Sequence, residues 1–324
     1  MRLSLLDRSR TRAGRPEGEA LTGTIERAVH AEALGYERIW VAEHHAVPGI
    51  ASGSPPVLLA AIGARTRTIR IGSGGVMLPH HQPLVVAEQF RMLDALHPGR
   101  VDLGIGRSLG FTSPVRRALR HGAEALDTFE SDLAELRAYL ADTADITARP
   151  ATGRRVPVHL LATGRGLEVA ARLGLPVVVG GPVLDSAEIG DLLAAYRRDF
   201  RPHEGSTPSV TVSLDVTVAE TDAEAREVAL PEAWAMARSR QTGEFAPLEP
   251  ADAIRAQPWT SQLRGRIESS LDRAVLGNPA TVRRALEQLA ERTAADELMI
   301  STSTYDRDAL FASDAAVREI IGAT

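Results

Sequence analysis

Apolar residues recur along this chain in two alternating rhythms. Short runs rich in Val, Ile and Leu, each about one strand long, are followed by longer stretches in which apolar positions return every three or four residues. The strand-type runs are Arg2–Leu6, Arg38–Ala42, Ile69–Gly74, Val101–Ile105, Val156–Ala162, Val177–Gly180, Val210–Ala219 and Glu297–Ser301. Helical patterns occupy Leu21–Leu34, Val57–Thr66, Leu84–Leu96, Ala123–Ala141, Leu167–Leu173, Ser186–Arg198, Asp222–Arg238 and Thr281–Arg292. Several strands, Pro176-Val-Val-Val-Gly180 among them, are apolar throughout, as strands covered on both faces should be. Eight strands alternating with helices predict a (β/α)8 TIM barrel more economically than an open doubly wound sheet.

Punctuation agrees with this division. Gly35 and Gly174 stand where helices should stop, and Asn278-Pro279 stands where one should start. Barrels commonly run to ~250 residues or more as one unit, so residues 1–324 read as a single domain. One stretch breaks the rhythm. Residues 242–276 are polar, rich in Pro and Gly, and form an insertion before the last βα unit. Both a lid over the barrel mouth and a plain surface excursion fit it.

Composition narrows the chemistry. The chain has 324 residues and 37 cationic side chains, every one of them arginine. Without lysine there is no Schiff base to pyridoxal phosphate and no P-loop lysine. Without cysteine there is no thiol nucleophile, iron–sulfur cluster or disulfide. A net charge of −5 argues against a nucleic-acid or anionic-membrane partner. The apolar run Leu3–Leu6 is too short for a signal segment and meets Asp7 at once, so a cytoplasmic location is expected.

Barrel enzymes work at the carboxyl ends of their strands, so the residues that follow each strand matter most. Ala42-Glu43-His44-His45 follows the second strand, and the third leads through Gly74-Gly75 to His80-His81. Gly104-Ile105-Gly106-Arg107 closes the fourth, and Ala162-Thr163-Gly164-Arg165-Gly166 follows the fifth. The two His pairs, with Glu43 and Glu88, invite a metal reading. Neighbouring residues on an extended chain point to opposite sides, however, so a His-His pair rarely gives two ligands to one ion, and no metal is expected. The Thr163–Gly166 turn feeds a helix N-terminus, whose unpaired N–H groups and dipole favour a phosphate. Glycine needed for βα packing explains the same turn. Arg165, Thr163 and Arg107 complete a phosphate cradle. Dinucleotide and kinase fingerprints are absent, as are Gly-x-Ser-x-Gly and a P-loop. If a phosphate bound here belongs to a cofactor, a mononucleotide of flavin type is expected and not NAD in a Rossmann crevice. The basic run Asp7-Arg-Ser-Arg-Thr-Arg12 could attract a phosphorylated or acidic ligand, but a solvated arginine-rich loop is the favoured reading.

Together these motifs resemble the bacterial luciferase-like, flavin-dependent monooxygenase family. The residues that carry the resemblance are Trp40-Val-Ala-Glu43-His44-His45, Ile69-Arg-Ile-Gly-Ser-Gly-Gly-Val-Met-Leu-Pro79, Val85-Val-Ala-Glu-Gln-Phe90 and Pro98-Gly-Arg-Val-Asp-Leu-Gly-Ile-Gly-Arg107. Ala294-Ala-Asp-Glu-Leu-Met-Ile-Ser301 resembles the final strand of that family. The resemblance implies FMN, used in its reduced form as a co-substrate with oxygen and supplied by a separate flavin reductase. It also implies a homodimer. By position, Gly74 and Gly75 match a non-proline cis peptide beneath the flavin ring, Glu43 a residue lining the flavin site and His44 the active-site histidine. Arg107 and the loop Ala162, Thr163, Gly164, Arg165 and Gly166 match phosphate-binding positions. Thr163 alone remains of the hydroxyl residues that relatives often carry there. A hydride-transferring oxidoreductase using the deazaflavin coenzyme F420 shares the barrel and is the alternative, as is a non-catalytic flavin-binding protein. His44, with an ordinary pKa near ~6.5, is expected to exchange protons around neutrality.

Overall fold

The structure, a computed structural model, describes residues 1–110, 112–120, 126–203 and 205–322. Its first half runs β1 (Arg2–Asp7), α1 (Gly18–Leu34), β2 (Arg38–Val41), α2 (Pro55–Arg65), β3 (Arg70–Met77), α3 (Pro83–Leu96), β4 (Val101–Gly106), α4 (Ser113–Ala118) and α5 (Phe129–Leu140). The second half runs β5 (Val158–Leu161), α6 (Arg165–Leu173), β6 (Val177–Gly180), α7 (Ile189–Asp199), β7 (Val210–Leu214), β8 (Val216–Val218), α8 (Asp222–Thr242), α9 (Ala251–Arg255), α10 (Ser261–Arg273), β9 (Val275–Gly277), α11 (Pro279–Thr293), β10 (Glu297–Ile300) and α12 (Arg307–Gly322). Eight parallel strands close in the order β1-β10-β7-β6-β5-β4-β3-β2, which is the TIM barrel that the alternation predicted.

The expected stops and starts hold. Gly35 and Gly174 end α1 and α6 in the left-handed conformation, each returning its N–H to carbonyls of the preceding turn. Asn278 Oδ1 caps α11 by accepting from the N–H groups of Ala280 and Thr281. Three differences carry a physical reason. The apolar run 210–219 is two strands, because Asp215 interrupts it. β7 stays in the barrel between β6 and β10, while β8 leaves to pair with β9. A final helix, α12, follows β10 and packs on α1 and α11, a turn that the sequence pattern left unassigned. Residues 242–276 are also more ordered than their polarity suggested. Leu263, Ile267 and Leu271 of α10, spaced four apart, bury against Leu230, Trp234 and Ala237 of α8 in a second apolar cluster. The predicted start of a helix at Ala123 lies outside the described residues; the described part of that helix begins at Phe129. Among the described residues no helix is long and apolar enough to cross a membrane.

Among the described residues, Trp40 packs with Val178 and Met299 in a small buried cluster, and its ring meets that of His159 edge-on, with centroids 5.2 Å apart. Trp40, 1% exposed, points its indole N–H at Asp102, which also takes Arg38 and Arg70. Arg38 in turn bridges to Glu297, so the floor of the barrel is a buried charge network across β2, β3, β4 and β10. Paired charges of this kind keep their ionised form despite burial. With the floor filled, open space is left at the carboxyl ends of the strands.

Candidate active site

The loop after β2 is folded back on itself. His44 N–H donates to Ser52 O at 2.9 Å, and Ser52 Oγ donates to Ala42 O at 2.6 Å. This places His44 between two cavities. The smaller, about 150 Å³, is lined by Glu43, His44, His45, Gly74, Gly75 and Gly106. The larger, about 450 Å³, lies toward the ends of β1, β6 and β7 and is lined by Arg8, Arg10, Asp215 and Glu232 as well as His44.

Part of one wall of the smaller cavity is glycine, and the surroundings of Gly74 and Gly75 leave little room for a side chain. A Cβ on Gly74 would overlap Leu6, and one on Gly75 would press on Gly104 O at 2.9 Å. The Gly74–Gly75 peptide is cis, the geometry expected from the resemblance. Bare backbone here gives a flat face on which a planar ring system can lie closely. The residues present therefore fit the isoalloxazine of a flavin.

Glu43 is the polar centre of this cavity. Its Oε1 accepts 2.6 Å hydrogen bonds from both His45 Nε2 and His81 Nε2, and its Oε2 accepts from Met77 N–H at 2.9 Å. Burial alone would raise the Glu43 pKa, but the two imidazoles and the amide outweigh it and hold it at about 2. Glu43 is a carboxylate at any physiological pH. The adjacency argument against a metal holds within each His pair, yet the fold draws one histidine from each pair. Glu43, His45 and His81 offer ligand atoms within 4.8 Å of one another, the one such group among the described residues. Glu88 stands apart on α3, where it accepts from Arg149 N–H.

His44 behaves differently from the expectation. Burial, reinforced by the nearby Arg8 and Arg10, lowers its pKa to about 4. It is a neutral imidazole at neutrality, able to accept a proton rather than to hold one in reserve. The basic run after β1 is not a solvated loop either. Arg8 donates to Glu232 at 3.0 Å and to Asp215 at 3.3 Å, while Arg10 donates to Glu232 at 2.8 Å and to Gly49 O at 2.6 Å. Asp215 also accepts from Ser301 Oγ at 2.8 Å. Burial would raise Glu232, but Arg10 and Arg8 hold it low. Two cues in the sequence pointed at these partners. Asp215 breaks an apolar strand, and Glu232 sits beside Pro231 in an alanine-rich stretch of α8.

The phosphate-binding candidates lie one step outward. Gly164 precedes α6 with φ +50° and has no side chain to cap it, while Thr163, Gly164 and Arg165 are exposed. Ala162 is buried, and a Cβ on Gly166 would sit 3.1 Å from it, so Gly166 is also needed for packing. Arg107 is exposed, ion-paired with Asp127, and its guanidinium lies 5.9 Å from the centre of the Phe129 ring. Neither Arg107 nor residues 162–166 line the two cavities, but Gly106, Ser108 and Leu161 beside them line the smaller one. β4 and β5 are paired neighbours, so Arg107 and the α6 N-terminus follow adjacent strands at the same end of the barrel.

The profile of the luciferase-like monooxygenase family matches residues 1–297. This chain belongs to that family. A luciferase-like monooxygenase of Escherichia coli strain K12 is 35% identical over 316 residues, which is 94% of this chain and 92% of that one. An N-acetyl-S-alkylcysteine monooxygenase of Bacillus subtilis is 36% identical over 238 residues, 70% of each chain. The crystal structure of apo-MsnO8 superposes with a TM-score of 0.89 at 35% identity and covers 100% of this chain and 99% of that one. As a luciferase-like monooxygenase the chain is an oxidoreductase, and its cis Gly74–Gly75 peptide and His44 stand on the barrel face where such enzymes work.

Proposed function

We propose that this enzyme binds reduced FMN in the smaller cavity and uses it with oxygen to oxidise a small organic substrate held in the larger one. The observation that carries this reading is the placement of His44, which lines both cavities at once. A ring on the glycine wall and a substrate beyond His44 would then meet at a neutral base.

Reduced FMN supplies the two electrons that activate oxygen when it is bound. The chain supplies the rest. Gly74 and Gly75 let the backbone approach the ring, and Glu43 keeps a fixed negative charge and orients His45 and His81. The phosphate would rest on Arg107, Arg165, Thr163 and the N–H groups that open α6. His44 Nδ1 or Nε2 would take a proton from the substrate or return one to the product. Phe245 and Arg273, both on the larger cavity, come from residues 242–276, which supports reading that segment as a lid that excludes water.

No nicotinamide-binding pattern is present, so the reduced flavin would come from a separate reductase. Val57, Val85, Met92 and Leu96 are exposed on α2 and α3, which supports an apolar seam for a homodimer. The test is a titration with FMN, reduced FMN and the deazaflavin coenzyme, followed by oxygen-electrode measurements. Preferential binding of reduced FMN and oxygen uptake with substrate are expected. Tight binding of the deazaflavin, with turnover that takes up no oxygen, would place the enzyme among the hydride-transferring oxidoreductases instead.

A further inference from the structure

We infer that the larger cavity selects substrates that carry an anionic head, a carboxylate above all, on an apolar body. This deepens the reading of that cavity as the substrate pocket and rests on it. At about 450 Å³ the cavity has room for a small organic molecule of the size that enzyme pockets usually take. Its walls include Ile50, Leu184, Leu214, Met236 and Phe245, so most of a bound molecule would meet hydrocarbon.

The charges divide into an inner set and an outer set. Inside, Arg8 and Arg10 are matched by Asp215 and Glu232, and the quartet is neutral as a whole. Outside, Arg240 at the end of α8 and Arg273 at the end of α10 reach the same cavity, opposed by Asp185 alone. Among the described residues, no carboxylate lies within ion-pair distance of Arg240 or Arg273; Arg273 donates to Ser269 Oγ at 2.6 Å. The cavity therefore carries one positive charge more than it can neutralise from within, and that charge is at the rim.

Arg10 is committed to the protein, donating to Glu232 at 2.8 Å and to Gly49 O at 2.6 Å, which leaves Arg240 and Arg273 as the cavity arginines open to a ligand. His44, held neutral, adds no competing positive charge deeper in. A carboxylate at the Arg240–Arg273 rim would pair with the excess charge, with the body of the molecule lying along Ile50, Leu184, Leu214, Met236 and Phe245 between that rim and His44. A cationic substrate would have Asp185 alone, against two arginines.

The test is calorimetric titration of the intact chain, with and without FMN, using 4-phenylbutyrate, indole-3-acetate and octanoate beside their primary amides. Each acid is expected to bind about tenfold more tightly than its amide, the range for a hydrogen-bonded charged group. Arg240→Gln with Arg273→Gln should bring acid and amide to within about threefold, whereas Arg240→Lys should keep most of the preference. Both arginines are exposed, so these variants should fold, and unchanged FMN binding would verify it. Equal binding of acid and amide by the unaltered enzyme overturns the inference. So does a preference that survives the double substitution, or no binding of any of these acids at millimolar concentration. Loss of FMN binding by the unaltered chain, with the acid preference intact, would instead remove the flavin reading and leave the anion pocket standing.

Discussion

His81 Nε2 donates a 2.6 Å hydrogen bond to Glu43 Oε1, and so ties the turn after β3 to the end of β2. His45 Nε2 donates to the same oxygen at 2.6 Å. One buried carboxylate thus sets the orientation of two imidazoles on a cavity wall. Hydrogen bonds to a charged group contribute ~1.5–3 kcal/mol each. Glu43→Gln keeps the shape and removes the charge, so its melting temperature should fall by roughly 3–10 °C. Differential scanning calorimetry measures this; an unchanged transition would mean that the two histidines are held by packing alone.

The same three side chains invite a check for metal. Glu43, His45 and His81 hold their ligand atoms within 4.8 Å of one another, and turnover is expected not to depend on an ion. Purified enzyme dialysed against EDTA should keep its activity and melting temperature. Near-stoichiometric zinc or iron by elemental analysis, with activity restored only on re-addition, would assign the cluster as a metal centre.

The lowered pKa of His44 has a definite sign. A histidine held at about 4 is neutral above that value and charged below it. If its neutral form is the base, kcat/KM should stay level from pH 8 down to about 5 and fall only as pH drops through about 4. An ordinary histidine would lose activity near ~6.5 instead. His44→Ala should cut turnover ~10²-fold while FMN binding stays nearly intact. Equal losses of binding and turnover would exclude a base role.

If Arg107 and Arg165 hold the flavin phosphate, as proposed, their effect should depend on that phosphate. Arg107→Ala and Arg165→Ala are each expected to weaken FMN binding about tenfold and to leave riboflavin binding unchanged. Fluorescence titration with both flavins separates the two cases. Parallel losses for FMN and riboflavin would mean that the arginines support the ring pocket and not the phosphate.

Glu232 neutralises one half-buried and one buried arginine, Arg8 and Arg10, from the middle of α8. Removing it would strand Arg8 and Arg10, with side chains 23% and 4% exposed. Breaking a buried charge pair from one side costs about 3–5 kcal/mol. Glu232→Ala should therefore lower the urea midpoint sharply at an unchanged slope, and Glu232→Gln less so. A midpoint close to that of the unaltered protein would show that water reaches the arginines freely.

The barrel was legible because its signals are local. Each strand announces itself by a short apolar run, each helix by its periodicity, and Gly35, Gly174 and Asn278 mark ends within one turn of where they act. The order of residues past the strands also made Glu43, His44, Gly74 and Gly75 readable as neighbours, since parallel strands bring all their carboxyl ends to one face. The departure of β8 from the barrel was not legible, because its partner β9 lies some 60 residues further on. Nor was the role of α10, whose three buried leucine and isoleucine positions stand among polar residues and need α8 to cover them.

What the amino-acid order settled by itself was the alternation of elements, the absence of lysine and cysteine chemistry, and the set of polar residues at one rim. Tertiary structure alone decided which of those residues act together. It joined Glu43 to His81 and Arg8 to Glu232 across 38 and 224 residues, turned a basic loop into a neutral ion-paired quartet, and moved His44 out of the range where it would titrate near neutrality. Burial and charge pairing depend on what the rest of the chain brings alongside, and no local pattern encodes that.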